Sequence, residues 1–162
     1  MAVEEKLVSL LKENNMIITT VESCTGGLLA SKIVNVSGAS EVFYEGFITY
    51  ANSAKETYAG VSKETLDKYG AVSFQVAMEM AQGAAKKTGA DVAVSVTGIA
   101  GPDGGTMEKP VGLVYIGCHV KGNTEYRECY FHGDRLQNRE DSVKAALLST
   151  IELIEKFRDK RR

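Results

Sequence analysis

At 162 residues, with 44% apolar and 25% charged side chains, the chain has the size and make-up of one globular domain spanning 1–162, not of a disordered segment. Its 19 basic and 21 acidic residues leave a formal net charge of −2, so no basic field awaits nucleic acid or an anionic membrane. Three dispersed cysteines (Cys24, Cys118, Cys129) and two histidines (His119, His132) give neither an even disulfide set nor a spaced metal pair, and no apolar run approaches 18 residues. The compartment reads as reducing cytosol, with no metal or cofactor expected.

The opening MAVEEKLVSLLKENN places Val3, Leu7, Leu10 and Leu11 on one stripe of an acidic amphipathic helix that stops at Asn14-Asn15, unlike a signal peptide. Residues 16–21 (MIITTV) form a short β-branched strand, and 26–36 a helix entered directly from it. Residues 42–50 (VFYEGFITY) read as a second strand and 51–59 as a short helix. Ser62 caps another short helix ending at Gly70. Ser73 caps the longest mid-chain helix, with Val76, Ala77, Met80 and Ala84 on one face and Gly89 as its stop.

Residues 91–97 (DVAVSVT) suit a strand covered on both faces, and glycine-rich 98–110 follows. Residues 111–120 and 124–131 form a hairpin turning at 121–123. Asn138 or a near neighbour opens the last helix, with Val143, Leu147, Ile151 and Ile154 on its stripe; the basic run 156–162 is its solvated end. Alternating strands and helices with a late hairpin predict a three-layer α/β/α sandwich around a mixed, mainly parallel sheet. The hairpin, carrying Cys118, Tyr126 and Tyr130, offers an edge strand that a second copy could cover, which leans towards a homo-oligomer.

Four segments could carry chemistry. Glu22-Ser23-Cys24-Thr25-Gly26-Gly27 joins a buried strand to a helix, where backbone amides can bind an anion or an oxyanion. From spacing alone, capping of the helix by Ser23 or Thr25 is an equal reading. Residues 97–105 (TGIAGPDGG) leave the end of an apolar strand, the usual ligand position in open α/β sheets; they match neither a P-loop nor G-x-G-x-x-G, and a structural loop is the alternative. Residues 49–55 (TYANSAK) end a strand and enter a helix, and on composition alone Lys55 is a surface lysine. Residues 133–139 (GDRLQNR) set Arg135 and Arg139 four apart, able to clamp an anion or to pair with Asp134. Cys24, at a helix start, reads chiefly as a small packing residue, and the two histidines as structural.

In order, ESCTGG at 22–27, TYANSAK at 49–55, GAVS at 70–73, TGIAGPDGG at 97–105, KPVGLVYIG at 109–117 and GDR with a following arginine at 133–139 resemble the CinA C-terminal domain family. The resemblance covers essentially the whole chain, and six weak motifs in sequence are specific. That family includes stand-alone members, the nicotinamide mononucleotide deamidases of the PncC type, and the chain resembles such a stand-alone form.

The resemblance implies hydrolysis of the carboxamide of a small nucleotide, without metal or cofactor, by a serine–lysine dyad that matches Ser23 and Lys55. A serine hydroxyl needs a base, and Lys55 serves only while neutral, a state that burial or a nearby Arg135 or Arg139 would favour. On this reading the amides near Thr25, Gly26 and Gly27 hold the oxyanion, and the 97–105 loop (Thr97, Gly98 and Gly101 within it) holds the ribose phosphate with Arg139. Tyr50 packs on the pyridine ring, and Arg135 completes the substrate-binding set. The competing readings are a non-catalytic nucleotide-binding module of the same fold and an amidase acting on another small amide.

Overall fold

A computed structural model describes residues 1–162. Its elements run α1 (Val3–Glu13), β1 (Ile18–Glu22), α2 (Leu28–Val34), a short 3₁₀ turn, β2 (Phe43–Ile48), α3 (Asn52–Ala59), α4 (Lys63–Tyr69), α5 (Phe74–Thr88), β3 (Val92–Gly98), β4 (Leu113–Val120), β5 (Asn123–Tyr130) and α6 (Arg135–Lys160). The strands form one sheet in the order β2-β1-β3-β4-β5. β1 pairs in parallel with β2 and β3, while β3–β4 and β4–β5 are antiparallel. Four strands therefore point one way, and only β4 is reversed. The sheet is mixed and mainly parallel, as the alternation of elements predicts.

Burial follows from position. β1 is buried along its length and β3 at all but its last residue, because helices cover both of their faces. The edge strands β2 and β5 are mostly exposed. One face carries α1, α2 and α6 over a core that includes Leu7, Leu11, Ile33, Ile116, Leu147 and Ile154. The other carries α3, α4 and α5 over Val21, Ala59, Leu66, Val76 and Met80. α3 lies close on α5, since a Cβ at Gly83 would overlap the Ala59 carbonyl. These are the three layers of an α/β/α sandwich.

Several boundaries differ from the sequence expectation, each for a local reason. α2 starts at Leu28 and not at residue 26, because Gly26 and Gly27 adopt φ of 55° and 102°, outside the right-handed helical range. The hairpin turns on Lys121-Gly122 alone, both with positive φ as a two-residue primed turn requires, so Asn123 already belongs to β5. α6 starts at Arg135, capped by Asp134, whose side chain accepts from the Gln137 amide at 2.8 Å. Asn138 is one turn inside that helix, buried, and bridges the Gly133 amide to the Ala100 carbonyl. Cys118 is not part of the exposed edge: it is on β4, buried, and lies 3.6 Å from the Thr150 hydroxyl on α6.

Candidate active site

β1, β2 and β3 end together at one rim of the sheet, and the segments that leave them meet there. Ser23 is the first residue beyond β1. Its amide donates to the Val96 carbonyl at 2.9 Å, and the Thr49 amide donates to the Glu22 carbonyl at 2.7 Å, so the turn is fixed between its two neighbouring strands. The Glu22 carboxylate, fully buried, accepts from the Leu29 and Ala30 amides at 2.8 and 3.1 Å. It satisfies the otherwise orphan donors at the start of α2 and leaves Ser23 and Thr25 free of capping.

Lys55 is on α3, whose buried residues Lys55 and Ala59 are one turn apart on the face turned to the sheet. Only 1% of Lys55 is exposed. Its Nζ lies 3.1 Å from Ser23 Oγ, 2.9 Å from the Thr49 carbonyl and 3.1 Å from the Tyr50 carbonyl. A neutral amine has two N–H donors and one lone pair. An ammonium donates to all three of these oxygens, and a neutral amine can donate to the two carbonyls with its lone pair towards the serine hydroxyl. Burial pushes the Lys55 ammonium below the ordinary lysine range, with a weaker upward influence from Cys24. Neither Arg135 nor Arg139 contributes to that depression, so of the two causes the sequence reading allowed, burial is the one at work.

Cys24 lies beside the pair but is 6% exposed, and burial pushes its thiol up to about 11. At neutral pH it stays protonated and is a poor nucleophile. Ser23, 8% exposed, opens on a cavity of about 280 Å³. Tyr50, Thr97, Gly98, Gly101 and Arg135 line it, together with Ala71 and Val72 from the turn before α5. Thr97 Oγ1 itself donates to the Ala71 carbonyl at 2.8 Å and so ties that turn to β3.

The two arginines go to different partners. Arg135 Nη1 donates to the Gly101 carbonyl at 2.8 Å and its Nη2 to Tyr50 Oη at 3.2 Å, across the cavity mouth. Besides Lys55 it is the only basic side chain on the cavity wall. Arg139 stands behind the 22–27 turn and donates from Nε to the Cys24 carbonyl and from Nη2 to the Thr25 carbonyl, at 3.0 and 2.9 Å. Gly26 and Gly27 shape the turn and do not line the cavity; Thr25 is fully buried. His119 bonds Thr124 within the hairpin, away from the site. Nowhere do three His, Cys, Asp or Glu side chains gather closely enough to hold a metal ion.

Sequence reasoning named the segments that hold Glu22, Asn138 and Ala71-Val72 but gave these residues no role in the site. Glu22 could have been found by asking what satisfies the first amides of a helix that is preceded by two glycines.

A buried serine–lysine pair at the carboxyl ends of parallel strands, beside a cavity in the rim of the sheet, marks an α/β/α domain with one defined candidate site. Residues 1–154 match the CinA C-terminal domain, and the chain belongs to that family. It is 54% identical over 157 residues to a CinA-like protein of Kosmotoga olearia, covering 93% of this chain and 38% of that one. This chain spans about a third of the length of the curated relatives it matches. Among solved structures, the competence/damage inducible protein CihA from Agrobacterium tumefaciens superposes with a TM-score of 0.89 at 42% identity, covering 94% of this chain and 96% of that one. A CinA superfamily protein from Escherichia coli does so at 0.90 and 36%, covering 93% and 88%.

Proposed function

We propose that this domain hydrolyses the carboxamide of nicotinamide mononucleotide to nicotinate mononucleotide and ammonia, in the recycling of pyridine nucleotides, with Ser23 as nucleophile and Lys55 as its base. The observation that carries this reading is the 3.1 Å approach of a buried Lys55 amine to Ser23 Oγ. Ser23 Oγ forms a bond to the carboxamide carbon while its proton passes to Lys55 Nζ, and the carbonyl π electrons move onto oxygen. Collapse of that intermediate breaks the C–N bond, and Lys55 returns the proton to the departing nitrogen as ammonia. Water, deprotonated by the same amine, then cleaves the acyl-serine ester and frees the carboxylic acid and Ser23.

The remaining roles follow from position. Arg135, the exposed cation at the cavity mouth, suits the phosphate, and Tyr50 beside it suits the pyridine or ribose face. The three free thiols fit a reducing cytosol, and no helix is long and apolar enough to cross a membrane. The exposed β5 edge, with Tyr126 and Tyr130, supports a homo-oligomer.

The test is ammonia release in the presence of EDTA, comparing the mononucleotide with free nicotinamide. Phosphate binding energy realised in the transition state predicts a kcat/KM at least about 100-fold higher for the mononucleotide. Equal values for the two would point to an amidase for another small amide. Binding of the mononucleotide by folded protein with no ammonia released would make this a binding module.

A further inference from the structure

We propose that Asn52 is a specificity-determining residue for the amide leaving group: its side-chain oxygen accepts an N–H from the substrate's carboxamide nitrogen and holds that nitrogen facing Lys55. The proposal rests on the reading of Ser23 as nucleophile and Lys55 as its base. Asn52 is the first residue of α3 and lines the same cavity as Ser23 and Lys55. Three residues apart on a helix, Asn52 and Lys55 share a face. The lysine stem runs back along that face, since Nζ reaches the Thr49 and Tyr50 carbonyls, which precede the helix. The amine of Lys55 therefore lies towards the N-terminal end of α3, the end that carries Asn52.

Most polar side chains on the cavity wall are already engaged within the protein. Thr97 donates to the Ala71 carbonyl, Arg135 to Tyr50, and Lys55 approaches Ser23. Of the nitrogen- and oxygen-bearing side chains on that wall, Asn52 and Asp103 alone make no hydrogen bond to another residue. Asp103 belongs to the exposed stretch between β3 and β4, whereas Asn52 shares its helix with the base. An asparagine side chain offers an oxygen acceptor, and a carboxamide nitrogen carries two N–H donors. In the tetrahedral intermediate that nitrogen must turn its lone pair to Lys55 and take up the proton before the C–N bond breaks. A hydrogen bond from one of its N–H groups to Asn52 Oδ1 fixes rotation about that bond with the lone pair towards Nζ, and no proton moves to Asn52. An ester's leaving oxygen has no N–H to offer and gains nothing from the contact.

The experiment compares kcat/KM for nicotinamide mononucleotide with that for the methyl ester of nicotinate mononucleotide, which delivers the same acyl group to Ser23 with methanol leaving. Each rate is read on its pH plateau. In Asn52→Ala the amide-to-ester ratio is expected to fall roughly 10-fold. Asn52→Asp, which keeps an oxygen acceptor at the same reach, is expected to restore most of that ratio. An unchanged ratio in Asn52→Ala, whether both rates hold or both fall, would overturn the proposal. Cleavage of the ester but not of the amide by the wild type would overturn it too, while leaving Ser23 as nucleophile. Cleavage of neither, against Ser23→Ala as control, would overturn the nucleophile reading and this proposal with it.

Discussion

The two glycine-rich segments that meet at the cavity are held in opposite ways. The 22–27 turn is buried from Glu22 to Thr25 and is tied to β3, to α2 through the Glu22 carboxylate, and to α6 through Arg139. The loop between β3 and β4 is anchored at its ends, by the Ile99 amide on Leu113, the Gly112 amide on Ile99 and the Asn138 amide group on Ala100, while residues 102–108 are exposed. Glycine content alone says nothing of this contrast. A nucleophile must be held to within a fraction of an ångström, a demand that an exposed loop tip does not face. One turn of α6 serves both, because Arg135 and Asn138 reach the loop and Arg139 reaches the turn.

That contrast can be broken or sharpened by substitution. The largest effect is expected at the dyad: Ser23→Ala and Lys55→Met should each lower kcat at least about 10⁴-fold while the protein still unfolds cooperatively on heating. In Glu22→Ala, the buried Leu29 amide and the half-buried Ala30 amide lose a charged acceptor, which should cost about 3 kcal/mol of stability in denaturant unfolding and loosen the nucleophile with it. Arg135→Ala, at the mouth, should raise KM for the mononucleotide roughly 10-fold with kcat largely kept, which steady-state kinetics would read directly. Met107→Ser, at the exposed loop tip, should change stability by less than about 0.5 kcal/mol and activity hardly at all. If Met107→Ser were instead as damaging as Glu22→Ala, the contrast between the buried turn and the exposed loop tip would fail.

The pH dependence follows from Lys55. Its amine is the base only when neutral, and burial holds its folded pKa below the ordinary lysine range. kcat/KM for free enzyme should therefore rise with pH through that lowered value and level off before about pH 10.4, where an unperturbed lysine would still be titrating. A profile still climbing at pH 10 would mean that burial does not tune the amine.

Much of the fold was legible because β-branched runs, Ser62 and Ser73 as caps, and Gly70 and Gly89 as stops act locally. The start of α6 was misplaced because Asp134, Asn138 and their neighbours offer several capping side chains, and only the tertiary demand on Asn138 to bridge Gly133 and Ala100 decides among them. The site was legible as a set of motifs, but the pairing of Ser23 with Lys55 is a contact across 32 residues that spacing cannot reveal. Composition makes Lys55 a surface lysine; its reach to Ser23 and to the carbonyls of Thr49 and Tyr50 at the end of β2 takes it into the interior. Glu22 and Arg139 act on backbone groups, and no side-chain pattern announces such partners.

The central claim is tested most directly by following ammonia release from nicotinamide mononucleotide with wild type, Ser23→Ala and Lys55→Met side by side. The account predicts turnover by the wild type alone, with both variants folded. Turnover by Ser23→Ala at the wild-type rate would contradict it.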